Sequence, residues 1–161
     1  FHHRDPGLVG AAFRLRDVYG EVICDGNHSN INSLNNYFMS KGRDYAIMIS
    51  DSLMAKGCPV GSKFLFGGNE IEVYPDGSAH LTSTKNLAGS TLRINRGLQI
   101  LVEKAGVPFD YAINACTLNP ARALGVDNRK GKLCVGYDAD IVVLNNDYDV
   151  VQTYARGIAC K

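Results

Sequence analysis

Two short apolar runs stand in the first third of the chain, and each of them ends in polar residues. Residues 21–24 (Glu-Val-Ile-Cys) lead into residues 25–28 (Asp-Gly-Asn-His), and residues 45–50 lead into Asp51. Short apolar runs bounded by turn residues are typical of buried strands. α/β enzymes place catalytic and binding groups in the loops that follow such strands. The pattern therefore predicts two strands with candidate functional residues at their ends.

The segment between these two runs has the spacing of a helix. Its apolar residues recur every three or four positions from Ile31 to Phe38, as on one face of a helix. Ser29 or Asn30 can cap its start, and residues 41–42 (Lys-Gly) supply a stop. A strand, a helix and a second strand in this order form the βαβ unit of parallel sheets. We therefore predict an α/β fold.

The middle of the chain predicts a β-hairpin. Residues 70–74 and 78–81 flank residues 75–77 (Pro-Asp-Gly), where Pro presets φ and Gly supplies a positive φ. Two glycines at 67–68 precede it, so we expect a β insertion near residues 67–82 on a larger α/β body. The other predicted elements are helices at 7–13, 91–105, 110–116 and 120–124, the last capped by Asn119, and strands of a small separate sheet at 139–144 and 150–154.

Composition narrows the class of protein. The 161 residues are 45% hydrophobic and can bury a core, and a formal net charge of +1 gives no reason to expect nucleic acid or an anionic membrane as a partner. No apolar stretch approaches the roughly 20 residues of a membrane span. The cysteines are widely spaced and form no Cys-x-x-Cys pair: Cys24, Cys58, Cys116, Cys134 and Cys160. This spacing fits reduced thiols in a cytoplasmic protein better than disulfides or structural zinc.

Two of the strand ends carry candidate catalytic groups, and each has a structural alternative. Asp51 can act as a metal ligand or as a general acid and base, or it can merely cap a turn. His28, beside Asp25 and Asn27, can bind a metal or a substrate oxygen, but a lone His after a strand is often structural.

Two further clusters are candidates for binding an anion. The side chains of His3 and Arg4 can recognise phosphate or carboxylate, or they can belong to a solvated terminal segment. Residues 87–90 (Leu-Ala-Gly-Ser) are predicted to head a helix, whose free backbone N–H groups could hold an anion or a substrate oxygen. An ordinary turn of small residues is the alternative.

Taken in order, these clusters resemble the N-acetylglucosamine-6-phosphate deacetylases of the amidohydrolase superfamily. The resemblance spans nearly the whole chain. The matching stretches are residues 3–10, 25–28, 50–57, 87–92, 119–122, 129–133 and 136–144. The last of these stretches is common to many amidohydrolases, whereas the first four, in this order, are more specific to these deacetylases.

The resemblance implies the later part of a metal-dependent (β/α)8 TIM-type barrel plus the C-terminal share of a small β-sandwich. Residues 1–128 would form the partial barrel, with the hairpin insertion near 67–82, and residues 129–161 would form the sandwich strands. The chain starts with Phe1 rather than Met, and the family's metal-binding Glu and two His precede the segment that matches His3 and Arg4. We therefore expect a longer parent protein, and an isolated chain that is neither stable nor active.

The implied reaction is metal-dependent hydrolysis of N-acetylglucosamine 6-phosphate to glucosamine 6-phosphate and acetate. By resemblance, Asp51 is the catalytic carboxylate and a possible ligand of a divalent ion, zinc or iron, whose bound water would give its proton to Asp51. Arg4 and His3 would bind the 6-phosphate, often across a homodimer interface, and His28 would contact the sugar or the carbonyl region. The other substrate-binding residues implied are Asp25, Gly26, Asn27, Ala88, Gly89 and Ser90.

Two alternatives to this activity stay open at the level of sequence. The first is another amidohydrolase, for example one that hydrolyses a cyclic amide. The second is a non-catalytic fragment or binding module that lacks the metal site.

Overall fold

The computed structural model describes residues 2–160. Positions 1 and 161, the outer ends of the predicted barrel segment (1–128) and sandwich segment (129–161), lie outside this range. A mixed α/β chain results, which confirms the predicted class. The helices are α1 (Gly7–Arg14), α2 (Ile31–Tyr45), α3 (Ile94–Gln99), α4 (Phe109–Cys116) and α5 (Leu118–Ala123), and a π-helical turn at Ile100–Lys104 follows α3. The strands are β1 (Gly20–Ile23), β2 (Ala46–Ile49), β3 (Lys63–Phe66), β4 (Asn69–Val73), β5 (Ala79–Leu81), β6 (Ile141–Leu144), β7 (Val150–Ala155) and β8 (Ile158–Ala159).

The predicted βαβ unit is present at the front of the chain. Strands β1 and β2 pair in parallel, with Gly20 opposite Ala46, and α2 connects them. Asn30 caps α2, because its side chain accepts a hydrogen bond from the amide of Asn32. The predicted stop at Gly42 is a kink: φ is +68° there, and a short helical turn follows before β2 begins.

One hydrophobic cluster joins the parallel strands to α2, α3 and α4. Leu34, Phe38 and Leu101 are fully buried in it, and each such side chain contributes roughly 1.5–3 kcal/mol on burial. Helix α3 packs closely against β2, because a Cβ on Gly97 would stand 2.5 Å from the sulfur of Met48. The helices therefore fix the strands whose ends carry the candidate site.

The hairpin predicted in the middle of the chain is confirmed and belongs to a three-stranded antiparallel sheet. Strands β4 and β5 pair from Ile71–Leu81 to Val73–Ala79. Strand β3 was not predicted, although the Gly-Gly pair at 67–68 that joins it to β4 is a typical two-residue hairpin turn. A second hydrophobic cluster packs this sheet against the loop after β2 through Leu53.

Two predicted helix starts are wrong. The helix expected over residues 91–105 begins at Ile94, and the stretch before it pairs with neighbouring segments through Leu87, Ala88 and Ser90. Asn119 does not cap α5. Thr117 occupies that position, and the buried Asn119 side chain instead donates hydrogen bonds of 2.9 Å to the carbonyl oxygens of Arg43 and Ala46. The side chain thus joins α5 to the start of β2.

The C-terminal strands form an antiparallel sheet, as predicted, with β8 as an additional strand. This sheet contacts the rest of the chain, because Asn95 of α3 donates a 2.8 Å hydrogen bond to the carbonyl oxygen of Tyr148 in the β6–β7 turn. Within residues 2–160, none of the helices has the length and apolar character to cross a membrane.

Candidate functional site

Asp51 lies two residues beyond the end of β2, close to its predicted position, and hydrogen bonds fix the backbone there. Its carbonyl oxygen accepts a 2.8 Å hydrogen bond from the amide of Ser90, and the Leu53 amide donates 2.9 Å to the Ser90 carbonyl. Asp51 has φ +45°, a left-handed conformation that is uncommon outside glycine and often found at functional sites. Its side chain is exposed and has no hydrogen-bond partner among the described residues. The carboxylate is therefore available for proton transfer.

Residues 88–90 hold the Asp51 loop in place. Ala88 and Ser90 are buried, and the Ala88 amide donates 2.9 Å to the carbonyl of Ala79 in β5. Gly89 has φ +49°, and a Cβ there would stand 2.7 Å from Cγ of Leu53. The prediction of free N–H groups at a helix start is wrong for Ala88 and Ser90, because their amides are bonded within the chain and the helix begins later.

Asp25 orients His28 at the end of β1. Oδ1 of Asp25 accepts 2.9 Å hydrogen bonds from the amides of Asn27 and His28, while Oδ2 lies 2.7 Å from Nδ1 of His28. An ionised carboxylate only accepts hydrogen bonds, so Nδ1 carries the proton and Nε2 is left for another partner. Gly26 supplies the positive φ of the turn (+77°). The arrangement presents one nitrogen of His28 in a defined tautomer.

His3 and Arg4 lie in an exposed turn near the start of the chain. The turn is closed by backbone hydrogen bonds between His2 and Asp5, and the His2 and His3 rings lie 4.3 Å apart. No hydrogen bond or ion pair in residues 2–160 links the side chain of Arg4 to Asp51 or His28. Within the described range the structure therefore shows no bond between this predicted phosphate-binding cation and those two residues.

A cleft of about 480 Å³ opens between the β1 end, the loop after Asp51, the β4–β5 turn and the start of α3. Asp25 and Asn27 are the predicted site residues that line it; the side chains of Asp51 and His28 do not. The lining residues are Asp25, Asn27, Ala55, Gly57, Cys58, Asp76, Gly77, Ser78, Thr91, Leu92, Arg93 and Arg96. The cleft therefore also contains the hairpin tip (residues 76–78) and two arginines, which were not predicted as site residues from the sequence.

Hydrogen bonds hold the hairpin tip in a fixed conformation at the cleft wall. Ser78 donates to Oδ1 of Asp76 from its hydroxyl (2.6 Å) and its amide (2.9 Å), and these bonds hold the pKa of the Asp76 carboxyl below its usual range. Nε2 of His80 lies 2.8 Å from the Ser78 hydroxyl, and Thr91 donates 2.6 Å to the Gly77 carbonyl. The alternation of Asp, Ser and His at every second position was the available sequence signal.

The described residues do not make a metal centre by themselves. No three His, Cys, Asp or Glu side chains cluster within residues 2–160, and Asp51 would be one ligand where catalytic sites use about three from the protein. All five cysteines, which fall in the described part, are free thiols. Burial raises the pKa of Cys24 and raises that of Cys116 to about 11, so both resist forming the thiolate that a metal binds.

Comparison with known proteins identifies the class to which this fold and site belong. The sequence profile of the Amidohydrolase family matches residues 60–159. A putative N-acetylgalactosamine-6-phosphate deacetylase of Escherichia coli (strain K12) is 33% identical over 156 residues, which cover 97% of this chain and 91% of that protein. The chain belongs to the amidohydrolase family.

Within the family, the predicted resemblance to sugar-phosphate deacetylases is confirmed. The N-acetylglucosamine-6-phosphate deacetylase of Bacillus subtilis (strain 168) is 38% identical over 98% of this chain and 39% of its own length. An aspartate-to-alanine variant of the Mycobacterium smegmatis enzyme, solved with N-acetyl-D-glucosamine 6-phosphate, matches with a TM-score of 0.90 and 28% identity over 98% of this chain and 42% of that one. The chain thus spans about two-fifths of the length of these two proteins.

Proposed function

We propose that this chain is the C-terminal portion of a deacetylase that hydrolyses the acetamide of N-acetylglucosamine 6-phosphate to glucosamine 6-phosphate and acetate. The observation that carries the proposal is the match of almost the entire chain, in sequence and in fold, to deacetylases of this substrate. The site geometry supports it, because an exposed carboxylate follows a buried parallel strand.

In the proposed architecture, residues 1–128 are the later part of a (β/α)8 barrel and residues 129–161 are strands of a β-sandwich. Strands β1 and β2 pair in parallel, and a parallel bridge joins Ser52 to Ser90; both support three neighbouring barrel strands, the third at the segment around Ser90. The antiparallel sheet β3–β5 would be an insertion after the second of these strands, and β6–β8 would belong to the sandwich.

Asp51 would perform the proton transfers of the reaction. Its carboxylate would accept a proton from the attacking water and deliver it to the leaving amine, since one carboxylate can serve first as base and then as acid. His28, oriented by Asp25, would bind the sugar or the acetamide carbonyl through Nε2. Asn27 and the backbone of residues 88–90 would shape the sugar pocket.

Arg4 and His3 would bind the 6-phosphate of a substrate molecule that lies in the active site of the neighbouring protomer of a homodimer. Their exposed position, without ties to the rest of the site, supports a role across an interface. Asp51 alone cannot hold a divalent ion such as zinc or iron, so the other ligands would come from the remainder of the complete protein. We propose a cytoplasmic location, in keeping with a phosphorylated sugar substrate.

N-acetylgalactosamine 6-phosphate is the second candidate substrate. The specific observation in its favour is the Escherichia coli relative with that name, of which this chain covers 91%. The two sugars differ only in the orientation of one hydroxyl group, so the same chemistry would serve both.

Acetate release by the complete protein tests the proposal. We expect release from both 6-phosphates, with a higher kcat/KM for the N-acetylglucosamine compound, and no ring opening of a cyclic amide such as hydantoin. Ring opening without acetate release would move the chain to another amidohydrolase activity. No turnover of any of the three compounds would favour a non-catalytic role.

A further inference from the structure

Three polar side chains of the β4–β5 hairpin form a connected network outside the predicted site. The hydroxyl of the buried Ser78 donates a 2.6 Å hydrogen bond to Oδ1 of Asp76 and lies 2.8 Å from Nε2 of His80. The other ring nitrogen, Nδ1, lies 2.7 Å from the carbonyl oxygen of Lys85. The hairpin network (Asp76, Ser78 and His80) thus runs from a carboxylate through a hydroxyl and an imidazole to a backbone carbonyl.

The three contacts of the hairpin network need three protons. The Lys85 carbonyl can only accept a hydrogen bond, so Nδ1 of His80 carries one of them. The Ser78 hydroxyl has a single proton and donates it to Asp76, so the contact with Nε2 needs a proton on Nε2. Neutral histidine carries one ring proton, and only imidazolium carries two. The geometry therefore holds one proton more than neutral His80 and ionised Asp76 can supply.

The additional proton belongs on His80 rather than on Asp76. Oδ1 of Asp76 accepts hydrogen bonds from both the hydroxyl and the amide of Ser78, and such bonds favour the ionised carboxylate. These bonds first, and then the charge of His80, hold the pKa of the Asp76 carboxyl below its usual range. The Tyr74 ring stacks on the imidazole with the ring centroids 4.2 Å apart, and an aromatic face attracts a cation.

Charged groups of both signs surround the hairpin network. Glu72 stands opposite His80 in the pairing of β4 with β5, and opposite residues share one face of a sheet. Its carboxylate favours a positive His80, whereas the ammonium group of Lys85, 5.9 Å from the centroid of the Tyr74 ring, disfavours it. The charged residues that line the cleft are Asp25, Asp76, Arg93 and Arg96. The hydrogen bonds, rather than an excess of one charge, therefore select the imidazolium form.

Ser78 is not arranged as a nucleophile, although an imidazole lies beside it. A serine nucleophile gives its proton to the base and needs free donors for an oxyanion. Here the hydroxyl donates to Asp76, and the amides of Gly77 and Ser78 are bonded to the Tyr74 carbonyl and to Asp76. The network therefore serves the conformation of the hairpin.

The conformation of the hairpin tip bears on the cleft. Residues 76–78 line it, and Thr91 donates a 2.6 Å hydrogen bond to the Gly77 carbonyl. Thr91 follows Ser90, whose amide is bonded to the carbonyl of Asp51. When Nε2 of His80 loses its proton, the one proton of the Ser78 hydroxyl has two acceptors, and one of the two hydrogen bonds is lost. The tip should then open more readily.

We propose that the hairpin network is a pH-sensitive switch, which fixes the tip at the cleft wall while His80 carries two ring protons and loosens it when Nε2 releases one. The switch is independent of the substrate and of the reaction at Asp51. Asp76 and His80 act on the cleft through the backbone of the hairpin.

The first test follows the ring protons of His80 in the complete protein, by NMR of ¹⁵N-labelled histidine from about pH 5 to pH 9. The His80→Gln variant identifies the signals. We expect two protonated ring nitrogens at low pH and release from Nε2, because Nδ1 stays bonded to the Lys85 carbonyl. Ser78→Ala and Asp76→Asn should each lower the pH of release by about 1 unit, a tenfold change in the equilibrium. Ser83→Ala, at an exposed serine of the loop after β5, is the matched control and should not change it.

The second test measures opening of the hairpin by hydrogen–deuterium exchange, corrected for the intrinsic effect of pH. The control is the turn at residues 145–149, where the Asn145 side chain, which does not titrate, accepts bonds from the amides of Asp147 and Asp149. Protection of residues 74–80 should fall about tenfold across the pH of release, and protection of the control turn should not. The same pH of release in wild type, Ser78→Ala and Asp76→Asn would overturn the proposal, as would hairpin protection that is equal on both sides of it.

Discussion

Asn119 offers a sharp test of how α5 is joined to the strand that ends at Asp51. Its side chain is fully buried, and its Nδ2 donates to the carbonyl oxygens of Arg43 and of Ala46, the first residue of β2. The substitution Asn119→Asp keeps the shape of the side chain and replaces the donor by an oxygen. A helix cap would accept this change, because Asp and Asn cap about equally well. A side chain that clamps two segments by donating hydrogen bonds to a carbonyl group of each would not tolerate it, because the donor is lost.

The magnitude follows from the two lost donors. A buried polar group left unsatisfied costs about 1–3 kcal/mol, so the loss of both hydrogen bonds should lower the free energy of unfolding by about 2–4 kcal/mol. The introduced carboxyl group would face two carbonyl oxygens away from water, which raises its pKa. An acid with a raised folded pKa loses stability as the pH rises above its unfolded value of about 4. The variant should therefore be less stable near pH 8 than near pH 5, relative to wild type.

Equilibrium urea unfolding of the complete protein at pH 5 and pH 8 measures this effect. Asn30→Asp is the matched control, since Asn30 does cap a helix and accepts a 2.9 Å hydrogen bond from the amide of Asn32. The control should stay within about 0.5 kcal/mol of wild type. Equal effects of the two substitutions, or a loss at Asn119 that does not depend on pH, would refute the clamp.

Two further predictions concern the walls of the site. Gly89→Ala should lower the free energy of unfolding by about 2–4 kcal/mol, because φ is +49° and an added Cβ would meet Leu53 at 2.7 Å; a change below about 0.5 kcal/mol in urea unfolding would contradict this packing. Asp76→Ala should lower Tm at pH 7, and its difference from wild type should shrink toward pH 3. Ser78 lowers the folded pKa of Asp76, so the stabilisation is present above the unfolded pKa of about 3.9 and is lost as the pH falls through the lowered value. If the difference in Tm between Asp76→Ala and wild type did not change with pH, the ionised carboxylate of Asp76 would not be the source of the stabilisation.

Local sequence patterns were sufficient for the elements that carry the site. The apolar runs before Asp25 and Asp51 are strands, the segment between them is a helix capped by Asn30, and the Pro-Asp-Gly turn closes a hairpin. Each of these features depends on residues close together in the chain. The order of elements and the position of Asp51 could therefore be predicted.

The remaining features depend on contacts between distant residues. Asn119 followed by proline has the local pattern of a cap, and only the approach of Arg43 and Ala46, more than 70 positions away, makes it a clamp. Residues 87–90 were predicted to lead directly into a helix, but the amides of Ala88 and Ser90 bond to β5 and to Asp51, and the helix begins only at Ile94. The convergence of Arg93 and the hairpin tip on one cleft has the same origin, because no short pattern encodes it.

The proton-transfer role of Asp51 is tested by kcat for acetate release from N-acetylglucosamine 6-phosphate in the Asp51→Asn variant of the complete protein. We expect kcat to fall by about 10²- to 10⁴-fold, the usual contribution of a general acid and base. KM should change much less than kcat, and thermal unfolding checks that the variant folds. Asp147→Asn, which alters another exposed carboxylate, should leave kcat unchanged. Wild-type kcat in the Asp51→Asn variant would contradict the assignment of proton transfer to Asp51.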